Sequence, residues 1–204
     1  MKLLGRSDSL NVRKVLWAMD ELGLEASRED YGGPFGKTDT LEYRQMNPTG
    51  LVPVLVDGDT KIWESNTIIR YLAGRVPEKE FAGRDHSSAA KVSQWMDWQL
   101  GTLNPLLQTL FAQTRLGDKR DERIVVDTTT NLNKLFKTVL ANALPPKNFM
   151  FGSAMSAADV CLGVMLHRHV SLLNADSLDD RVRRYHEELA GRGGFKRHVA
   201  IGKP

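Results

Sequence analysis

Two short stretches of this chain carry residue types able to hold a charged, extended ligand. In segment 47–55, Pro53 stands between Val52 and Val54-Leu55, where a strand should begin. It can give no ladder hydrogen bond, so it belongs at a strand entrance or a bend. If the Val52-Pro53 bond is cis, the Val52 amide and carbonyl turn outward and can pair with a peptide-like ligand. Further on, Glu64-Ser65 precedes Ile68, Ile69, Tyr71 and Leu72 at helical spacing, which places Ser65 near an N-cap. A helix start there offers free amides and a positive dipole end to a carboxylate. Glu64, just outside, can meet an ammonium group beside that carboxylate, so the pair suits an α-amino acid head group. Taken alone, Glu64-Ser65 also reads as an ordinary helix cap with a solvated glutamate.

The elements that must position these groups fall into two regimes. Up to about Gly74 the pattern is βαβ followed by ββα: strand 2–4, helix 11–22, strand 27–30, a loop, strands 54–56 and 61–63 joined by Asp57-Gly58-Asp59, then helix 65–73. Loop Arg6-Ser7-Asp8-Ser9-Leu10-Asn11 lies between the first strand and the first helix, so its hydroxyls and free amides face the same crevice as the Val52 backbone. From Asp85 onward no credible strand remains, and 89–111, 121–140, 157–172 and 177–189 carry helical spacing. Segment 75–80 is polar, contains Pro77 and reads as a linker. The division is therefore 1–76, a linker at 77–85, and an all-helical 86–204.

Bulk properties narrow the class. The chain has 204 residues, 41% hydrophobic and 26% charged, the composition of an ordinary globular protein. Its start lacks the apolar core of a signal peptide and no apolar run approaches membrane-spanning length, so a cytoplasmic protein without a membrane association is expected. A net charge of +3 with intermixed signs gives little support to nucleic-acid binding. Cys161, alone and in an apolar run, reads as a small core residue. His167 and His169, at i and i+2 of one helix, cannot converge on a metal, and no metal site is expected. Ser156-Ala157-Ala158-Asp159 reads as a capping arrangement in which Ser156 accepts from first-turn amides and Asp159 reaches back.

Val52-Pro53 with Glu64-Ser65, behind strand Lys2-Leu3-Leu4-Gly5 and helix Val12-Arg13-Lys14-Val15-Leu16-Trp17, resembles the cytosolic glutathione S-transferase family over nearly the whole chain. The resemblance implies a fold with an α+β thioredoxin-like N-terminal domain (βαβ-ββα) that binds glutathione, followed by an all-α helical-bundle C-terminal domain. It implies a homodimer and a reaction in which the glutathione thiol attacks a small electrophile as its thiolate. An alternative is a glutathione-dependent peroxidase or disulfide reductase, or a non-catalytic glutathione-binding module.

Under that resemblance Val52, Pro53, Glu64 and Ser65 hold glutathione. Ser9-Leu10-Asn11-Val12-Arg13 resembles the serine-type active-site stretch of theta- and delta-like members and of bacterial members in which the asparagine is implicated. Ser9 is then the first candidate thiolate donor, Asn11 the second and Ser7 the third; Ser9 and Asn11 are equally residues that cap helices. Lowering a thiol pKa from about 8.5 by two units takes about 2.7 kcal/mol of preferential thiolate stabilisation. One charge-assisted hydrogen bond contributes about 1.5–3 kcal/mol, so a hydroxyl or amide near a helix N-terminus suffices. Many members carry a basic residue just before the cis-proline, where this chain has Gly50 and Leu51; Lys37 is the candidate partner for the glycyl carboxylate. The acceptor pocket is expected between the two halves, with Phe111 and Arg115 at its edge, while Trp95, Met96 and Trp98 read as packing. Asp97 could reach a partner subunit's ligand. Gly191-Arg192-Gly193-Gly194-Phe195 departs from the family's arginine-proline ending, so a looser tail is expected.

Overall fold

A computed structural model describes residues 1–146, 148–173 and 178–202. The first half is a four-stranded sheet with order β2-β1-β3-β4. Its strands are β1 (Lys2–Leu4), β2 (Ser27–Glu29), β3 (Val54–Asp57) and β4 (Thr60–Trp63). β1 runs parallel to β2 and antiparallel to β3, with Leu4 opposite Val54, and β3 pairs antiparallel with β4 through a two-residue turn. Gly58 in that turn takes φ 58°, a left-handed value that glycine reaches without a Cβ clash.

Alternation of side chains along the strands decides what packs on each face. Leu3 and Leu55 join the main core with α1 (Leu10–Leu22) and α3 (Ser65–Gly74), whereas Leu4 and Val54 form a small second cluster with Tyr43 of α2 (Leu41–Met46). The α+β thioredoxin-like arrangement expected for the first half is therefore present. Helix α2 is absent from the sequence reading because it has six residues and buries only Tyr43, too little to leave a periodic signal.

The second half is helical. α4 (His86–Trp98) continues through a π-helical turn, Gln99–Leu103, into α5 (Asn104–Arg115), so the single helix expected over 89–111 is longer and interrupted. α6 (Glu122–Leu135) likewise passes through a π-helical turn, Phe136–Leu140, into α7 (Ala141–Ala143). α8 (Ala157–Leu173), α9 (Asp180–Ala190) and α10 (Gly193–His198) follow. Ser177, the expected start of the penultimate helix, lies outside the described residues.

α8 is the pillar, with twelve buried residues. Asp159 at its start is fully buried and accepts four hydrogen bonds: from Ser156 N (2.7 Å), Ser156 Oγ (2.6 Å), Met150 N (2.8 Å) and Tyr185 Oη (2.7 Å). Asp159 thus reaches back as expected, but the Ser156 hydroxyl donates to it rather than capping an amide. Burial raises the Asp159 pKa, and the hydrogen bonds from Ser156, Met150 and Tyr185 oppose that rise.

The two halves meet where α1 lies against α8 and α10. A Cβ on Gly163 would sit 2.9 Å from the Trp17 ring, and one on Gly194 would sit 2.6 Å from it, so both glycines permit the close approach. Phe195 then meets Trp17 edge-on at 5.1 Å. The expected loose tail is corrected by this contact: α10 is ordered through Gly194 and a buried Phe195, without the proline that the family pattern supplies.

Candidate active site

The loop before β3 is braced from inside. Tyr43 Oη and Asn47 Nδ2 both donate to the Leu51 carbonyl at 2.7 Å, and Asn47 Oδ1 accepts from the Thr49 amide and hydroxyl at 3.0 and 2.8 Å. The Val52-Pro53 bond is cis. The Val52 amide and carbonyl enter no hydrogen bond among the described residues, which leaves them to a ligand. Across a narrow cleft stands the start of α3, and Asn47, Val52, Pro53, Glu64, Ser65 and Asn11 share the lining.

Glu64 is the N-cap residue of α3, exposed, with φ 68° and no capping bond of its own. A non-glycine residue at that φ costs on the order of 1–3 kcal/mol and persists where the surroundings impose it. Glu64 and Ser65, at the first turn of α3, both line the cleft. The α3 start is held from the helical half. Asn66 Nδ2 donates to Met96 O (2.9 Å), and Asn66 Oδ1 accepts from Lys14 Nζ (2.8 Å) and Cys161 Sγ (3.3 Å). Burial pushes the Lys14 pKa down and the Cys161 thiol up to about 11, so Cys161 is a packed donor rather than a nucleophile.

The first loop separates its candidates. Ser9 occupies the N-cap position of α1 but makes no side-chain cap bond, and its hydroxyl lines a second, larger cavity of about 370 Å³. Asn11 is the residue shared by both spaces. Its Oδ1 accepts from Ser65 Oγ at 3.3 Å, and its side-chain amide N–H groups have no partner among the described residues. The helix starts at Leu10 with Ser9 at the N-cap, so Asn11 is not an N-cap. Ser7 lines neither space, and its carbonyl accepts from Arg13 Nε at 3.2 Å.

Phe111 and Arg115, named from the sequence, lie on the wall of the larger cavity together with Arg13, Asn104, Gln108 and Arg168. Lys37 does not line the cleft; it donates to the Asp30 carbonyl at 3.4 Å and lies over the Tyr31 ring. A different cation stands near the cis-proline loop. Arg44 donates to Pro48 O at 2.9 Å, and its guanidinium covers Gly50, where a Cβ would approach to 2.5 Å. Arg44 was missed because α2 was missed. Arg168 was missed because a lone arginine in an apolar helix announces no partner in sequence. Trp95 and Trp98 pack against the core and each other, and Asp97 pairs with Arg70 at 2.6 Å. Among the described residues no group of three or more His, Cys, Asp or Glu is arranged to hold a metal, and no helix is long and apolar enough to cross a membrane.

Comparison with known proteins gives one consistent result. Residues 3–80 match the family described as glutathione S-transferase, N-terminal domain. The glutathione S-transferase GstB of Escherichia coli (strain K12) is 27% identical over 202 residues, covering 98% of this chain and 97% of that protein. The probable glutathione S-transferase GSTF2 of Oryza sativa subsp. japonica is 28% identical over 216 residues, covering 100% and 98%. The theta class glutathione S-transferase of Xanthomonas axonopodis pv. citri, solved with glutathione bound, is 29% identical, with a TM-score of 0.88 over 100% of this chain and 98% of that one. With its sheet, its cis-proline cleft and its all-helical second half, this chain is similar over its whole length to glutathione S-transferases, and its residues 3–80 carry that family's N-terminal domain.

Proposed function

We propose that the chain is a glutathione transferase of the serine/asparagine type, which binds glutathione in the Val52–Ser65 cleft and directs its thiolate at a small electrophile in the larger cavity. The observation that carries this is the position of Asn11, which lines both spaces and whose side-chain amide N–H groups have no partner among the described residues. The γ-glutamyl carboxylate is received by the α3 amides, and the ammonium by Glu64. The cysteinyl backbone pairs with Val52, and Arg44 is the cation nearest the loop for the glycyl carboxylate. The sulfur then lies at the junction.

There the proton leaves the thiol for solvent, and the thiolate is stabilised by the Asn11 amide, with the Ser9 hydroxyl and the α1 N-terminus in reach of the larger space. Attack forms a carbon–sulfur bond while the halide or other leaving group departs with its electron pair. No general base is needed, because the thiolate forms before attack. A homodimer is part of the reading: Leu51 is 66% exposed and Trp63 37% exposed, apolar side chains at the rim of the first half suited to a second copy.

The test is retention on immobilised glutathione followed by turnover of aryl halides. The account expects retention for wild type and for Asn11→Ala, with kcat lowered 10- to 100-fold in the variant and the KM for glutathione changed less than threefold. Retention without turnover leaves a binding module, and no retention removes the proposal.

A further inference from the structure

The larger cavity is more basic than an acceptor site for neutral electrophiles requires. Four arginines line it, Arg6, Arg13, Arg115 and Arg168, against a single carboxylate, Asp8. Asp8 is taken by Arg6 at 3.4 Å. Arg13 spends its donors on the Ser7 and Val199 carbonyls at 3.2 and 3.4 Å. Arg115 and Arg168 form no ion pair among the described residues.

Arg168 is the unusual one. It is 4% exposed, its Nε has no hydrogen-bond partner among the described residues, and its guanidinium stacks 4.0 Å from the centroid of the Phe111 ring. Arg115 approaches the same ring at 5.8 Å. Burial, and then the nearby Arg13 charge, push the Arg168 pKa down to about 10, so it stays charged at neutral pH. A buried cation with idle donors is costly unless something supplies acceptors, and a guanidinium matches a planar carboxylate in a bidentate way. The Phe111 ring supports both cations, and a flat ring carrying that carboxylate can stack on a guanidinium face in its turn.

We propose that the acceptor substrate is an anionic electrophile, an aryl or alkyl halide bearing a carboxylate, which Arg168 and Arg115 hold so that its halogen-bearing carbon faces Asn11. This rests on the reading of the larger cavity as the acceptor side of a glutathione site. The bound thiolate attacks that carbon, a carbon–sulfur bond forms, the carbon–halogen bond breaks, and the halide leaves with the electron pair. The carboxylate takes no part in the bond changes and serves only to orient the ring.

The test compares 4-chloro-3-nitrobenzoate with 4-chloro-3-nitrobenzamide, equal in size and leaving group and different in charge. Calorimetry on the full chain without glutathione measures their affinities, and kcat/KM with glutathione is divided by each compound's uncatalysed rate. At least a tenfold preference for the benzoate is expected in both, shrinking as salt is raised. Arg115→Gln, at an exposed position that leaves folding intact, should reduce the preference about fivefold, and Arg168→Gln should abolish what remains. Equal affinity for the two compounds, or a preference undiminished in Arg115→Gln, overturns the inference. A separate titration with glutathione alone tells the two readings apart. Loss of glutathione binding with the anion preference intact sinks the transferase reading and, with it, the thiolate attack, while the carboxylate-binding role of Arg168 and Arg115 stands; normal glutathione binding with no anion preference overturns this inference and leaves the transferase reading in place.

Discussion

The narrow cleft and the broad cavity share Asn11 but are built by opposite means. The cleft is made of backbone: the Val52 amide and carbonyl, the first amides of α3, and a loop braced through the Leu51 carbonyl. Its residues come from two nearby stretches, 47–53 and 64–65, plus Asn11. The broad cavity is made of side chains drawn from the first loop, α5 and α8, far apart in sequence. Backbone recognition tolerates change in side chains and fixes one ligand; side-chain recognition shifts with each substitution and can serve many. The difference implies that binding of the first substrate is fixed by the fold and choice of the second by four or five residues.

The largest expected effect breaks the comparison by removing what both regions rest on. α8 backs α1, which carries Asn11, and carries Arg168 itself. Asp159→Ala would leave the Ser156 and Met150 amides and the Ser156 and Tyr185 hydroxyls without their acceptor inside the protein. Each such loss costs about 1–3 kcal/mol, and together about 4 kcal/mol is expected after local relaxation. Denaturant titration checks this, and a loss below about 1 kcal/mol would show that the network is not what anchors α8.

Acid should act on the same helix next. His169 is buried with neither ring nitrogen partnered among the described residues, and burial lowers its pKa from 6.5 to about 4; His167, stacked on His186, is lowered to about 4 by burial and by the His186 and Arg13 charges. The folded chain then binds fewer protons than the unfolded chain between those values. Stability is whole above about pH 6.5 and falls as pH drops toward 4, by about 3 kcal/mol for a fully buried histidine. Stability measured at pH 7 and pH 5 should differ in wild type and differ less in His169→Leu.

A smaller effect sharpens the comparison by touching the cleft alone. Glu64→Gln removes the partner of the ligand ammonium while keeping the backbone turn, and about a tenfold weaker affinity for glutathione is expected, or about 1.4 kcal/mol. The ratio of rates for charged and neutral acceptors should not move. If that ratio changed as much as the affinity, the two regions would not be independent.

The sequence made the cleft legible because its parts are local. Val52-Pro53 is readable from the missing ladder donor, and Glu64-Ser65 from the helical spacing that follows. Asn11 was nominated but left open between cap and donor, since both roles use the same residue type; the helix start at Leu10, with Ser9 at the N-cap, decides against the cap, and the contact with Ser65, distant in sequence, turns Asn11 to the cleft. Arg168 and Gln108 were invisible because their meeting depends on where α5 and α8 run. Segment 191–195 reads as a looser tail, yet Gly194 is needed because a side chain there would strike Trp17. In each miss the deciding partner lies on another element, which no local pattern reports.

The central claim is that the cleft keeps the glutathione sulfur anionic beside Asn11, and ultraviolet difference titration of bound glutathione against pH measures that ionisation itself. In wild type the midpoint should fall about two units below the free thiol value of about 8.5, and in Asn11→Ala it should return at least halfway. A bound thiol that ionises at the free value in wild type, or a lowered midpoint unchanged in both Asn11→Ala and Ser9→Ala, would contradict the account.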